Sequence, residues 1–347
     1  MRRFSILVLC GVLFLTGCSF SIKSGLSRYD AQFLGVFDTV TSMVGYTRNE
    51  EEFTVYAKQL QEGLEEYHQL YDIYHEYEGM NNLKTINDMA GIQPVVVDEK
   101  IIDMLEEAVE MYELTDGRVN VAMGSVLSVW HDYRDAGIDD PENAKLPTEE
   151  ELAEAARHMD ITKLKIDRQA STVYLEDPDM SLDVGSIGKG YATEMICRKL
   201  EESGLTSALV SVGGNIRGIG AKNGKEVWKV GIQNPDTSSS QTYLYKAGIE
   251  GQSLVTSGTY QRYYTVDGVQ YHHIIHPDLL KPWNEYASVS VICPDSGKAD
   301  ALSTALFNMS LDEGMDLAGS LEDVEVMWLK PDGSEYHTEG FQKYLIK

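Results

Sequence analysis

The most informative stretch of the chain is residues 182–192, which read LDVGSIGKGYA. Three glycines and a lysine stand directly before Ala192, Ile196 and Leu200, which recur at helical spacing until Gly204. A glycine-rich loop that opens a helix offers backbone N–H groups and the positive end of the helix to an anion. The stretch therefore predicts a phosphate-binding loop, although its spacing fits neither the Walker A motif nor the dinucleotide fingerprint.

Upstream of this loop the sequence predicts helices. Apolar residues recur every three to four positions over residues 51–78, which indicates one long amphipathic helix. A second helix is expected after Asp98 as its N-cap, with a stop at residues 116–117. A third is expected after Thr148, whose hydroxyl can form a capping box with Glu151.

Downstream of the loop the pattern changes to short β-rich runs separated by glycine-rich turns and two helices. The runs are residues 208–212, 227–232, 254–256 and 287–292. Strands, helices and turns mixed in this way favour an α+β fold with mixed or antiparallel sheets over a regular βαβ array.

The N-terminus resembles a bacterial lipoprotein signal. A basic start and an apolar run over residues 4–15 precede Leu15-Thr16-Gly17-Cys18, and the run is too short to span a bilayer comfortably. We therefore expect residues 1–17 to be a cleaved signal peptide, residues 18–30 a lipid anchor and tether, with the lipid on Cys18, and residues 31–347 the folded domain. The protein would then sit on the extracytoplasmic face of the cell membrane. An ordinary secretory signal, with Cys18 as a passenger, is the alternative.

Composition limits the classes of partner. The chain has 29 basic and 55 acidic residues and a formal net charge of −26, and no cluster of Lys and Arg is present to hold a nucleic-acid backbone. We therefore expect no nucleic-acid partner. Only Cys197 and Cys293 follow the signal and anchor region, so no disulfide framework is expected, and buried thiols are the favoured interpretation.

Two further motifs carry polar groups that suit a site. Residues 211–218, SVGGNIRG, are consistent with either a tight turn or a ligand contact. Residues 271–277, YHHIIHP, hold three of the eight histidines. A zinc site would need a clear second set of ligands, which the sequence lacks, so we favour one histidine that acts on a proton or a phosphate.

The last motif is residues 298–307, KADALSTALF, which has helical spacing. Asp300 and Thr304 are four positions apart and therefore share one helix face, opposite Leu302 and Leu306. A carboxylate and a hydroxyl on one turn can offer oxygens to Mg²⁺. A solvated helix face is the alternative interpretation of this pair.

Taken in order, six segments between Gly35 and Trp328 resemble the ApbE family of FAD:protein FMN transferases. They are LDVGSIGKGYAT (182–193), LVSVGGNIRG (209–218), VWKVGIQNP (227–235), LVTSGTYQRYYTVDG (254–268), YHHIIHP (271–277) and ADALSTAL (299–306). The resemblance implies Mg²⁺-dependent transfer of FMN from FAD to a threonine hydroxyl of a target protein, with release of AMP. It also implies a flavoprotein partner, membrane-bound or exported, on the same side of the membrane.

The resemblance also implies roles for individual residues. The residues that would hold Mg²⁺ are Ser186, Asp300 and Thr304. The catalytic base would be His273, with His272 as a second candidate. The FAD contacts would be Phe37, Tyr77, Arg118, Val119, Asn120, Asp183, Lys189 and Ile275, where Tyr77 is preferred to Tyr74 as the residue that stacks on the flavin.

The chain departs from the family pattern at three places. Residues 275–277 are Ile-His-Pro where Ile-Asp-Pro is common, residues 37–39 are Phe-Asp-Thr where many members have Met-Gly-Thr, and residues 278–282 replace Thr-Gly-x-Pro. None of these changes touches the expected metal ligands or His273. An FAD pyrophosphatase that releases FMN and AMP would use the same residues and is one alternative. A non-catalytic lipoprotein that binds FAD is another, although passive binding would not require the Ser186, Asp300 and Thr304 set.

Overall fold

The computed structural model of the protein describes residues 25–236 and 238–346. The expected signal peptide, Cys18 and most of the tether lie outside the described residues. The first strand among the described residues begins at Ser27, within the range 18–30 that was predicted to be anchor and tether. Within the described ranges, every helix is too short or too polar to cross a membrane.

The helices follow the predicted signals in most places. Asp98 accepts a hydrogen bond from the backbone N–H of Lys100, and Thr148 and Glu151 form the reciprocal capping box. The described residues form eight α-helices: α1 (Glu50–Tyr71), α2 (Leu83–Asp88), α3 (Glu99–Leu114), α4 (Gly124–Asp139), α5 (Glu149–Ala155), α6 (Gly188–Glu202), α7 (Ser296–Phe307) and α8 (Leu311–Ser320).

The first helix is shorter than predicted. The spacing predicts a helix over residues 51–78, but α1 ends at Tyr71. Asp72 leaves the helical conformation, and its Oδ1 accepts hydrogen bonds from the backbone N–H groups of Tyr74 at 2.6 Å and His75 at 3.1 Å. An aspartate that bonds the backbone two and three residues ahead competes with helix continuation, and this turn was not recognised in the sequence.

The strands fall close to the predicted β-rich runs, and residues 208–212 match in full. The strands are β1 (Ser27–Val36), β2 (Thr39–Thr47), β3 (Val95–Val96), β4 (Leu164–Asp167), β5 (Thr172–Leu175), β6 (Ala208–Val212), β7 (Asn215–Ile219), β8 (Trp228–Gln233), β9 (Tyr243–Ile249), β10 (Ser253–Gly258), β11 (Tyr263–Val266), β12 (Val269–His272), β13 (Ile275–His276), β14 (Lys281–Pro282), β15 (Ser288–Cys293), β16 (Glu325–Leu329), β17 (Glu335–His337) and β18 (Leu345–Ile346).

The largest sheet has eight strands in the order β1-β2-β6-β7-β10-β15-β16-β17, and each neighbouring pair is antiparallel. Helices and antiparallel sheets in one domain confirm the predicted α+β class. The smaller described sheets are antiparallel too, so the structure selects the antiparallel alternative over a mixed one.

The central sheet separates two hydrophobic clusters. Neighbouring strand residues point to opposite faces, so Val255 packs in the main core with α1, α6 and α7, while Leu254 packs against β8 and β9 on the other face. A third cluster joins α4 and the β11–β12 hairpin around Trp130 and Tyr264. Cys197 and Cys293 are buried free thiols, as predicted.

Candidate active site

The glycine-rich loop is held in a tight turn by the side chain and the backbone N–H of Asp183. The Asp183 carboxylate accepts a hydrogen bond from the N–H of Gly185 at 2.8 Å, and the N–H of Asp183 donates to the carbonyl of Val121 at 2.9 Å. The helix α6 begins at Gly188, and Ser186 and Lys189 are half-buried at its start. The loop therefore presents a helix N-terminus and one lysine in the same place, as an anion site requires.

The beginning of α6 touches α7 at Gly190. A Cβ atom at this position would lie 2.2 Å from the carbonyl oxygen of Ser296 and 2.4 Å from the Asp300 Cβ. The Gly190 N–H donates to Asp300 Oδ2 at 2.8 Å. Only a glycine permits this approach, and it joins two motifs that are 110 residues apart in the chain.

Asp300 is a buried carboxylate, with 7% of its side chain exposed, so the alternative of a solvated helix face is wrong. Burial raises the pKa of the Asp300 carboxyl, and Lys189, whose Nζ lies 4.0 Å from Oδ2, offsets part of that shift. The Asn215 amide also faces this carboxylate, although its Nδ2 is buried without a hydrogen bond of normal geometry.

The residues around Asp300 fit a hard cation. Thr304 follows one turn later on α7, and its hydroxyl oxygen is 3.5 Å from that of Ser257 in β10. A buried carboxylate with a raised pKa is a group that a cation stabilises, and carboxylate and hydroxyl oxygens are ligands that Mg²⁺ accepts. Ser186 belongs to the loop that leads into Gly190, but its role as a ligand stays a prediction.

The two adjacent histidines of the YHHIIHP motif have different environments. His272 is buried, its Nε2 is 3.0 Å from the carbonyl of Trp283, and its ring packs edge-on against Phe307. Its Nδ1 accepts the N–H of Ile274 at 3.2 Å, so both ring nitrogens are engaged within the protein. Burial lowers the pKa of His272 to about 4, and this histidine has the contacts of a core residue.

His273 is exposed, and one of its ring nitrogens is fixed. Its Nδ1 lies 3.2 Å from the carbonyl oxygen of Arg262. A carbonyl can only accept, so Nδ1 carries the proton and Nε2 keeps a free lone pair. The ring lies in an open cleft lined by Trp130 and Tyr271, whose atoms displace part of its water. This desolvation lowers the pKa of His273, and the charges of Arg262 and Lys189 lower it further. The ring is therefore a neutral acceptor at neutral pH.

The structure does not support a zinc site in the histidine motif. The rings of His272 and His273 bond different carbonyl groups and are not directed at a common point. Among the described residues, the cluster of side chains that could hold a metal is His158, Asp177 and Asp179. There Asp177 already binds Lys163 Nζ at 2.7 Å and His158 Nδ1 at 2.9 Å. That carboxylate is neutralised by its own neighbours.

Tyr74 and His131 lie beside the loop, and no sequence motif had indicated His131. The Tyr74 hydroxyl is 3.1 Å from His131 Nδ1, and Asp183 is close enough to influence the pKa of both. The hydroxyl of Tyr77 instead donates to Asp72 at 2.8 Å. The structure thus brings Tyr74, rather than the preferred Tyr77, to the side of Asp183.

Arg118 is the most polar of the remaining residues expected to contact FAD. It forms an ion pair with Asp278, and its guanidinium also lies 3.7 Å from Glu313 and 3.5 Å from Nε2 of His276. His276, which replaces the usual aspartate, is buried and accepts the N–H of Asp278 through Nδ1 at 3.1 Å. The histidine therefore presents Nε2–H toward Arg118, where an aspartate would present a negative charge.

The other residues expected to contact FAD mainly contact other parts of the protein. Val119 and Ile275 are buried core residues. Asn120 caps the following turn and donates to the carbonyl of Met159 at 2.9 Å. Phe37 has a left-handed φ of 52° in the β1–β2 turn, and its ring packs edge-on against His68. Their contacts with FAD stay predictions.

Comparison with known proteins gives a consistent result. The model of the ApbE family matches residues 37–328. The chain is 34% identical to the FAD:protein FMN transferase of Treponema pallidum over 72% of this chain and 71% of that protein. It is 30% identical to a protein of the same name from Klebsiella pneumoniae, over 70% of this chain and 73% of that protein.

Solved structures with the same fold include the ApbE protein of Thermotoga maritima. That structure has a TM-score of 0.80 and 27% identity, and the match covers 92% of this chain and all of the other. The flavin transferase ApbE of Vibrio cholerae matches with a TM-score of 0.76 at 23% identity, over 92% of this chain and 100% of that chain. The second comparison is evidence for the fold alone.

Proposed function

The chain belongs to the ApbE family and is an enzyme that transfers FMN from FAD to protein, and we propose that it requires Mg²⁺ and delivers FMN to a threonine hydroxyl. The observation that carries this proposal is the position of Lys189. Its Nζ is 4.0 Å from Asp300, and its charge also lowers the pKa of His273. One lysine therefore connects the expected metal ligand with the expected base, at the start of an anion-binding helix.

His273 is proposed to accept the proton of the threonine hydroxyl. Its Nδ1 is held by the Arg262 carbonyl, so Nε2 is the nitrogen that is free to take a proton. The threonine oxygen forms a bond to the FMN-side phosphorus, and the bond from this phosphorus to the bridging oxygen breaks. The electron pair of that bond leaves with AMP, so the transfer needs no oxidant or reductant.

The loop is proposed to bind the diphosphate of FAD. Lys189 and the N–H groups at the start of α6 offset its negative charge, because they converge where the helix begins. Ser186, Asp300 and Thr304 would hold Mg²⁺, which supplies further neutralisation of the phosphate oxygens when bound. The protein's contribution is then mainly orientation and electrostatics.

Tyr74 is proposed to contact the flavin in place of Tyr77. Its ring is exposed beside Asp183, and its hydroxyl is fixed by His131, whereas the hydroxyl of Tyr77 is bound by Asp72. Replacement of Tyr74 by alanine should weaken FAD binding more than the same change at Tyr77, which can be measured from quenching of flavin fluorescence.

The protein is proposed to be a lipoprotein on the extracytoplasmic face of the cell membrane, anchored through Cys18. The support is the sequence of residues 1–18 alone. Replacement of Cys18 by serine should shift the protein from the membrane fraction or leave its signal uncleaved. Normal processing and fractionation of that variant would contradict the anchor.

One experiment separates transfer from the two alternative functions. The purified protein is mixed with FAD, Mg²⁺ and an exported flavoprotein domain that bears a candidate threonine, and intact masses are recorded. A gain of one FMN by the acceptor supports transfer. Release of free FMN without labelling indicates a pyrophosphatase, and unchanged FAD indicates a binding protein. Omission of Mg²⁺ in a parallel sample tests the metal requirement.

A further inference from the structure

We propose that Ser257 is a positioning residue that orients the Thr304 hydroxyl toward the metal, an inference that rests on the metal site of the proposed function. Ser257 lies in β10, in the Thr-Ser-Gly segment that had no assigned role. Its Oγ is 2.7 Å from Ser303 Oγ and 3.5 Å from Thr304 Oγ1. Both of these partners are on α7, the helix that carries Asp300.

The direction of the hydrogen bonds follows from the number of available protons. Ser303 Oγ is 2.9 Å from the backbone carbonyl of Asp300, and a carbonyl only accepts, so Ser303 donates to it. Each hydroxyl has one proton, and Ser303 must therefore accept from Ser257. The proton of Ser257 is then committed, so its remaining contact with Thr304 can only be as an acceptor.

The result is a chain of hydroxyls that runs from Thr304 to Ser257, then to Ser303, and ends on the main chain of Asp300. A helical threonine commonly donates to the carbonyl four residues earlier, which here is that of Asp300. Ser303 donates to this carbonyl instead, and the Thr304 proton is directed toward the sheet. The lone pairs of Thr304 are thereby left for a cation on the same side as the Asp300 carboxylate.

The sheet supplies a matched control. Residues of β10 alternate between faces, so Ser257 lies on the same face as Val255, against α7. Thr256 points to the opposite face, where its hydroxyl is 2.8 Å from that of Ser290 in β15. The Thr256–Ser290 pair is also a contact between two hydroxyls and also involves β10, but its partner is on β15 and not on α7.

The test is the affinity of the purified protein for Mn²⁺, used as a paramagnetic substitute for Mg²⁺ and measured from its free-ion EPR signal. Ser257→Ala should weaken Mn²⁺ binding roughly 10-fold, as loss of an outer partner of a metal ligand commonly does. Ser303→Ala should also weaken it, because Ser257 is then free to turn its proton toward Thr304. The Ser303 hydroxyl itself bonds only Ser257 and the Asp300 carbonyl among the described contacts. Thr256→Ala should leave the affinity unchanged.

Circular dichroism and melting temperatures establish that each variant is folded. Equal Mn²⁺ affinity in wild type, Ser257→Ala and Ser303→Ala would overturn the inference while leaving the metal site intact. Equal weakening in all three variants, Thr256→Ala included, would show a general effect of altering β10 and would also overturn it. Absence of Mn²⁺ binding by the wild type would overturn the metal site and this inference together, and FMN transfer is then measured separately.

Discussion

The backbone N–H of Gly190 donates to Asp300 Oδ2 over 2.8 Å, and this contact joins the start of α6 to the buried face of α7. A methyl group at residue 190 would overlap the Ser296 carbonyl, which belongs to the backbone and cannot rotate away. We therefore expect Gly190→Ala to separate the two helices and to lower the free energy of unfolding by about 1–3 kcal/mol.

Chemical denaturation measures this loss, and Gly319→Ala is a suitable control because a Cβ atom there would meet nothing within 4 Å. The Gly190 variant should also bind Mn²⁺ more weakly than the control, since Asp300 loses its fixed neighbour. Equal stability of the two variants would show that α6 and α7 are less tightly packed than the structure indicates.

Asp300→Asn should abolish the stabilisation of the protein by Mg²⁺. Burial raises the pKa of the Asp300 carboxyl, so its stabilising contribution is present below the ordinary value of 3.8 and is lost as the pH rises through the folded-state pKa. At neutral pH without metal the buried charge is therefore unfavourable, and the amide variant should melt at a higher temperature than the wild type. Added Mg²⁺ should raise the melting temperature of the wild type but not that of Asp300→Asn.

Asp177→Asn is the control for this metal effect. Its pKa is lowered to about 2, chiefly by the hydrogen bond from Lys163, so its charge stabilises the protein at neutral pH and is lost only as the pH falls. The control variant should melt at a lower temperature and still respond to Mg²⁺. If Mg²⁺ raises the melting temperature of Asp300→Asn but not that of Asp177→Asn, the metal site would instead be assigned to the cluster around His158.

His273→Ala and His272→Ala should separate chemistry from packing. The first removes the exposed ring with a free Nε2 and should reduce the transfer rate by about 10²–10⁴-fold while FAD still binds. The second removes a buried ring that packs on Phe307 and should lower the melting temperature. Single-turnover rates per folded molecule compare the two. A larger rate loss in His272→Ala would assign the base to the other histidine.

The pH dependence of transfer should reflect the lowered pKa of His273. Removal of water and the charges of Arg262 and Lys189 disfavour the imidazolium, so the ring should remain a neutral base below its ordinary pKa of 6.5. The acidic limb of the rate profile should thus lie below pH 6.5. Lys189→Met removes one positive charge and should shift that limb to higher pH, in addition to slowing the reaction. If the acidic limb does not move in Lys189→Met, the charge of Lys189 does not influence the pKa of the base.

Local signals in the sequence predicted much of the fold and the centre of the site. The caps at Asp98 and Thr148 and the glycines around Lys189 act over a few residues, and each is found where it was expected. The burial of Asp300 depended on a contact with Gly190 across 110 positions, which helical spacing does not encode.

Other parts of the site were missed for the same physical reason. The hydroxyl of Tyr74 contacts His131, which is 57 residues away on α4, and neither residue has a distinctive local pattern. Asp72 ended α1 through side-chain bonds to the backbone that compete with apolar periodicity. Contacts that depend on tertiary packing could not be derived from a single sequence.

The last prediction concerns the acceptor, and it follows from the exposure of His273. A base that receives a proton from another protein must be reachable from outside, and His273 is exposed whereas the adjacent His272 is 3% exposed. The acceptor threonine should therefore lie in an extended surface segment rather than in a folded core. The formal net charge of this protein is −26, so it would repel an acidic segment, and we expect the segment around the threonine to be locally neutral or basic.

Co-expression with such an exported domain should give a covalently flavinylated, fluorescent band that disappears when its threonine is changed to alanine. Acidic residues placed beside the threonine should slow labelling, and added salt should reduce that difference, because screening weakens the repulsion. A band that persists in the alanine variant would show that another group accepts FMN.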